Sequence, residues 1–167
     1  DPADPDRTAM WVFVLDTLNF CFWSERPDPD DRWWVAYRGE RVDGYWALAA
    51  SLTRAMEEGA PICDSGYLAT ISATDLAHIF RPAEPDGAPI PLFSNRLANL
   101  QQLGRGMHSM GGLGAAGKLV RASSHSAVNL VKSVVSLFPS FDDVTHYRGA
   151  EVRFYKRAQI LISDLAG

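Results

Sequence analysis

The sequence predicts a mainly α-helical domain carrying one small β-hairpin. Three observations point there. Apolar residues recur at helical spacing, as from Tyr45 to Glu58, where Tyr45, Leu48, Ala49, Leu52, Ala55 and Met56 share a face. Breaking and capping residues close such stretches, Gly59 after the first and Pro139 after a later one. One segment has strand composition around a two-residue turn: Trp33–Tyr37, then Arg38-Gly39, then Glu40–Asp43. With 167 residues, 47% of them hydrophobic and 22% charged, the chain suits one domain with its own core, residues 1–167.

Taken in order, Trp11–Trp23 is so poor in polar residues that it must be largely buried. Trp11, Leu15, Leu18 and Phe22 follow a helical period, although the β-branched and aromatic content leaves a strand open; in the helical register Asp16, Asn19 and Trp23 share one side. Arg26–Arg32 is a surface loop by its Pro and Asp content. Ile62–Tyr67 reads as a turn. Ser72 to Asp75 has the spacing of an N-cap for a short helix, Leu76–Phe80. Arg81–Pro91 is a proline-rich loop, and Leu92–Met107 returns to helix with Leu97, Leu100 and Leu103 inward. The glycines from Gly111 to Gly117 form a flexible connection; they lack the lysine-serine ending and preceding strand of a phosphate-binding loop. Ser126–Phe138 is a helix with Val128, Val131, Val135 and Phe138 inward. From Glu151 the chain reads as a final helix. Phe154, Ala158, Leu161 and Leu165 lie on one face, and further apolar residues suggest cover on more than one side.

Polar residues inside these apolar stretches are the candidate functional groups. Asp16 and Asn19 beside Trp23 suit a pocket wall that hydrogen-bonds and stacks on a flat ring; the plainer alternative is local capping and backbone satisfaction. Lys156 leads a polar stripe with Gln159 and Ser163, separate from a solvated edge of Arg153, Arg157 and Asp164. A covered lysine there needs a carboxylate, a phosphate or water; otherwise it snorkels to the surface. His125 and His146 have no metal-ligand spacing, so no metal site is expected. Cys21 and Cys63 sit in apolar contexts and read as free, buried thiols of a reducing compartment.

A formal net charge of −4 argues against a surface that coats nucleic acid. No apolar run approaches the roughly 20 residues of a membrane span, and no signal peptide is visible, so a cytoplasmic protein without membrane contact is expected. Residue chemistry alone leaves open a helical enzyme, a helical nucleic-acid module and a partner-binding domain without chemistry.

Several blocks bear a family likeness. Trp11–Ser24, Tyr37-Arg-Gly, Gly44-Tyr-Trp46, Arg54–Gly59, Phe138-Pro-Ser-Phe141 and Val152–Leu161 resemble, collinearly over nearly the whole chain, the queuosine salvage proteins. The resemblance implies a hydrolase that cleaves the N-glycosidic bond of queuosine 5′-monophosphate and releases queuine, a 7-deazaguanine, for tRNA modification. It implies a fold similar to helix-hairpin-helix DNA glycosylases and a free nucleotide as substrate, with neither a cofactor nor stable nucleic-acid binding. A non-catalytic nucleotide or nucleic-acid binding domain is the alternative. Lys156 matches the lysine of the family's Tyr-Lys-Arg-Ala-Gln motif and is the catalytic candidate; Asn19, Phe22, Trp23 and Asp16 are the substrate-binding candidates. The family's key carboxylate lies in an Ala-Asp-Tyr-Arg block absent from this sequence. The protein is therefore expected to extend before Asp1 and beyond Gly167, with the C-terminal continuation packing on Phe154, Leu161 and Leu165.

Overall fold

A computed structural model describes residues 3–23, 28 and 31–166. The expected loop Arg26–Arg32 falls largely outside them. The architecture is mainly helical, with eight α-helices among the described residues and two small antiparallel hairpins rather than one.

Helix α1, Pro5–Thr17, is the axis of the core. It begins earlier than the apolar pattern suggests because Asp4 caps it, accepting from the Arg7 backbone N–H, and Pro5 starts its first turn. Residues 12 to 18 are all buried, so α1 is covered all round. It ends at Thr17 and does not run on to Trp23.

Hairpin β1–β2, Trp34–Tyr37 and Glu40–Asp43, forms as expected and leads directly into α2, Gly44–Glu57. Trp33, before β1, is buried edge-on against Phe80 at 5.9 Å, and its indole donates to the Phe80 carbonyl at 3.0 Å. The second half of the expected turn Ile62–Tyr67 instead opens a short helix α3, Ser65–Thr70, because Asp64 caps it through the Tyr67 N–H. Ser72 caps α4, Ala73–Ile79, as its spacing predicts.

Helix α5, Phe93–Ser109, runs through the Gly104-Arg-Gly sequence without a break. Gly104 is there for contact rather than flexibility. A Cβ at this position would meet the Ala69 nitrogen at 2.2 Å and the Leu68 carbonyl carbon at 2.5 Å, so α3 and α5 touch backbone to backbone. A 3-10 turn at Gly112–Gly114 then opens α6, Ala115–Ala122, so the glycine-rich stretch is ordered structure. In α7, Ala127–Leu137, Leu130 and Val134 face inward with Phe138 after them, while Val128 is exposed.

The second hairpin, β3 Val144–Tyr147 and β4 Ala150–Arg153, occupies residues expected to be loop and the start of the last helix. Its turn repeats the first one. Tyr37-Arg38-Gly39 and Tyr147-Arg148-Gly149 both place arginine and glycine at positive φ, 50° and 83° in one, 50° and 80° in the other. That is the backbone a two-residue hairpin turn requires. Tyr155, at φ 47°, breaks the chain again, and α8 runs Lys156–Ala166 instead of starting at Glu151. α8 packs on α1 and α7, burying Ala158 and Leu161; Phe154 and Val152 stay exposed. Among the described residues no helix is long and apolar enough to cross a membrane.

Gly104→Ala is expected to cost about 1–3 kcal/mol, because backbone cannot swing aside as a side chain can. Urea unfolding of the variant measures this, and an unchanged midpoint would mean that α3 and α5 separate freely.

Candidate functional site at the ends of helices α1 and α8

Asp16 lies in the last full turn of α1, wholly buried. Its Oδ1 accepts from Asn19 Nδ2 at 3.2 Å; Oδ2 has no partner among the described residues. Burial pushes this carboxyl up to about 7, the Asn19 hydrogen bond opposes the rise, and the Asp164 carboxylate adds to it. An aspartate of this kind exchanges a proton near neutral pH, which suits acid–base work.

Tyr45, in the first turn of α2, is electrostatically coupled to the same carboxylates. Burial raises its phenol, and Asp164 and Asp16 raise it further. Tyr45 also lines a cavity of about 160 Å³ with Phe22, Trp23, Arg32, Asp43 and Gly44. This is smaller than the roughly 300–1,000 Å³ of a typical small-molecule site, so it is the size of a subsite. Asp164 reaches a second space, a groove of about 450 Å³ walled by Thr8, Ala9 and Val12 of α1, with Val120 and Leu165 opposite.

Two buried arginines fix the segment between these groups. Arg157, in the first turn of α8, donates from Nε and Nη2 to the one oxygen Oδ1 of Asp143 at 3.1 and 3.0 Å, and also to the Thr17 carbonyl at 3.1 Å and to the Ser140 carbonyl. Asp143 also accepts from the Arg157 backbone N–H at 2.8 Å, capping α8. Arg96 of α5, enclosed completely, donates to the carbonyls of Pro91, Leu18, Phe20 and Cys21. Both guanidinium groups stack on Phe20, at 4.4 Å for Arg96 and 4.9 Å for Arg157. Burial draws the Arg96 guanidinium down to about 10.

The predicted site residues fare differently. Asp16 and Asn19 do meet, through a hydrogen bond across the helix end rather than along a continuous helix. Phe22 is half-buried under Arg96 at 5.2 Å. Trp23 is 76% exposed, with the Arg32 guanidinium 6.0 Å from its ring. Lys156 is exposed at the start of α8, and Gln159 and Ser163 are exposed with it, so the expected covered stripe is a surface one. Arg157, expected on a solvated edge, is the buried member. Cys21 is exposed, contrary to expectation; Cys63 is buried, and both are free.

Arg96 and Arg157 were open to detection by helical spacing. Arg96, Leu100, Leu103 and Met107 stand at i, i+4, i+7 and i+11, which puts a guanidinium on the apolar face. Arg157 precedes Leu161 and Leu165 in the same way. Among the described residues no group of three or more His, Cys, Asp or Glu side chains is placed to hold a metal ion.

The chain matches the family described as queuosine salvage protein over residues 1–167. It is 47% identical over 162 residues to the queuosine 5′-phosphate N-glycosylase/hydrolase of Sphaerobacter thermophilus, covering 97% of this chain and 47% of that protein. The Bos taurus protein of the same name is 41% identical over 165 residues, 98% of this chain and 47% of the relative. That of Schizosaccharomyces pombe is 32% identical over 165 residues, 94% and 47%. The chain thus spans about half the length of the curated relatives it matches.

The Asp16 proton has a consequence for stability. The folded chain holds it up to about 7, whereas an ordinary carboxyl releases it at 3.8. Protonation therefore favours the fold fully below about pH 4, and this contribution is lost as pH rises through about 7. Asp16→Asn, which keeps an acceptor for Asn19 and cannot ionise, is expected to melt above the wild type at pH 8 and close to it at pH 4. A variant melting below the wild type at pH 8 would mean that the charged carboxylate is well satisfied in the fold.

Proposed function

The chain belongs to the queuosine salvage protein family, and on that premise we propose that it forms part of a hydrolase releasing queuine from queuosine 5′-phosphate. The observation that carries the reading is the buried Asp16 carboxyl, with one oxygen held by Asn19 and the other unpartnered, coupled to Tyr45 at the wall of an aromatic cavity.

Hydrolysis of the C1′–N bond leaves an oxocarbenium-like sugar that takes hydroxide from water, while the departing base gains a proton. A 7-deazaguanine has carbon where guanine has N7, so that proton and the developing charge must be handled at the remaining polar edge. Asp16 near neutral pH can hold a proton, and Asn19 offers an amide; this pair suits such an edge. Phe22 and Trp23 supply faces for stacking, and Arg157 ties the start of α8 to the last turn of α1, which brings Lys156 to the same end. Lys156 opens a helix whose first turn already carries Arg157, and like charge at the positive end of a helix favours an anion there. Its support as a catalytic residue is this setting, for the substrate phosphate or for a carboxylate.

A carboxyl raised to about 7 is a poor permanent counter-charge for an oxocarbenium ion. We therefore assign that charge to an aspartate in the further length by which the relatives exceed this chain. The same length is proposed to pack on the exposed Phe154 and the half-buried Leu165; Leu161 is already covered by this chain. Kinship with helix-hairpin-helix DNA glycosylases is proposed on the helical architecture, and a cytoplasmic setting on the two free thiols.

The test is queuine release from queuosine 5′-phosphate by the complete protein. Lys156→Ala is expected to cut turnover at least about tenfold, about 1.4 kcal/mol in the barrier, with the fold intact. Trp23→Ala is expected to weaken queuine binding by about 1–3 kcal/mol while sparing ribose phosphate. Tight binding without release would make the protein a nucleotide-binding domain. Near-wild-type kinetics in both variants would move the site elsewhere.

A further inference from the structure

We infer that Arg96 is a positioning residue: its enclosed guanidinium gathers the Leu18, Phe20 and Cys21 carbonyls and so sets the turn from which Asn19, Phe22 and Trp23 project. The inference rests on the reading that these side chains meet the base.

Four observations support it. Arg96 is wholly buried, yet it spends its bonds on main chain: Nε on the Pro91 carbonyl at 2.8 Å, Nη1 on Leu18, Nη2 on Phe20 at 2.5 Å and on Cys21 at 2.7 Å. No carboxylate is paired with it among the described residues, so the carbonyl oxygens themselves form its counter-charge. Those oxygens belong to an irregular segment after α1, where Cys21 takes a φ of 44° that a side chain rarely adopts. Three carbonyl dipoles aimed at one point repel one another unless a cation sits there. The stacking of the same guanidinium at 4.4 Å on Phe20 and 5.2 Å on Phe22 fixes the ring planes as well as the backbone.

The flat, forked shape of the group matters here. Nη1 and Nη2 point along different directions and serve different residues, which a lysine ammonium cannot reproduce while also stacking. Meanwhile the neighbours of Arg96 on α5, Leu100, Leu103 and Met107, are themselves buried in the core. Loss of the guanidinium should therefore loosen the turn before it loosens the fold.

The experiment uses the complete protein carrying Arg96→Ala or Arg96→Lys, with three readouts. These are kcat and KM for queuine release, hydrogen exchange at the amides of residues 18–23, and recovery with low-millimolar guanidinium chloride, checked against equal sodium chloride. The expected result is KM raised about tenfold with kcat less affected, exchange in the segment accelerated about tenfold, and both recovered by guanidinium in the alanine variant. If Arg96→Ala does not fold, Arg96→Lys carries the test, expected to fold with raised KM and faster exchange. Unchanged exchange in a folded variant, or faster exchange with unchanged KM, overturns the inference. If the wild type releases no queuine, the functional reading fails separately, and exchange with guanidinium recovery alone decides whether Arg96 sets the turn.

Discussion

Phe20 is held between two buried guanidinium groups, and much of the molecule follows from that arrangement. Arg96 comes from α5 and Arg157 from α8, so one aromatic ring joins three elements distant in sequence. The same two side chains take the carbonyls of Thr17 and Leu18. Carbonyls at the end of a helix must be satisfied somewhere, and here arginines do it in place of further backbone N–H groups. Helix α1 therefore stops where it does because α5 and α8 are docked on it.

The two arginines meet the cost of a buried charge in different ways. Arg157 has a carboxylate, Asp143, whose Oδ1 accepts from both Nε and Nη2, and breaking such a buried pair from one side typically costs about 3–5 kcal/mol. Arg96 has only carbonyl oxygens. Asp16, close to this region in sequence, has one oxygen without a partner among the described residues, and its burial raises the carboxyl to about 7. Two well-bonded arginines beside a helix end that carries one incompletely satisfied acid suit a binding site. The arginines supply rigidity, and the acid keeps an atom available to something that arrives later.

What could be read from the sequence was local. Ser72 caps the helix that its spacing predicts, Gly59 ends α2, and Tyr37-Arg38-Gly39 makes its hairpin. The mainly helical class follows from such signals. The misses arose where tertiary contacts overrule the local pattern. A helical period continues from Trp11 to Phe22, but Arg157 and Arg96 draw the carbonyls of residues 17, 18, 20 and 21 away from it. The second hairpin carried the same Tyr-Arg-Gly signal as the first, masked by an apolar run into α8 that also fits a helix. In the site, the Asp16–Asn19 pair was legible because buried polar residues stand out in an apolar stretch. The burial of Arg157 showed only in its spacing to Leu161 and Leu165, a signal masked by Arg153 and Asp164, which read as the same edge of the helix and are exposed.

Hairpin β3–β4 stands apart from the core, with every residue of both strands exposed. A two-stranded ribbon has no inner strand. Among the described residues neither strand has a second neighbour, so each keeps an outer edge, and Val144, Tyr147 and Val152 expose apolar side chains beside it. Such an edge is a template for another strand, including one from a second copy of the same chain. The ion pairs of Arg153 with Glu151 and Asp142 place charge along β4, the usual means by which proteins discourage that pairing. Neutralising those charges would turn this ribbon into a point of growth for aggregates while leaving the helical core and its buried arginines unaltered.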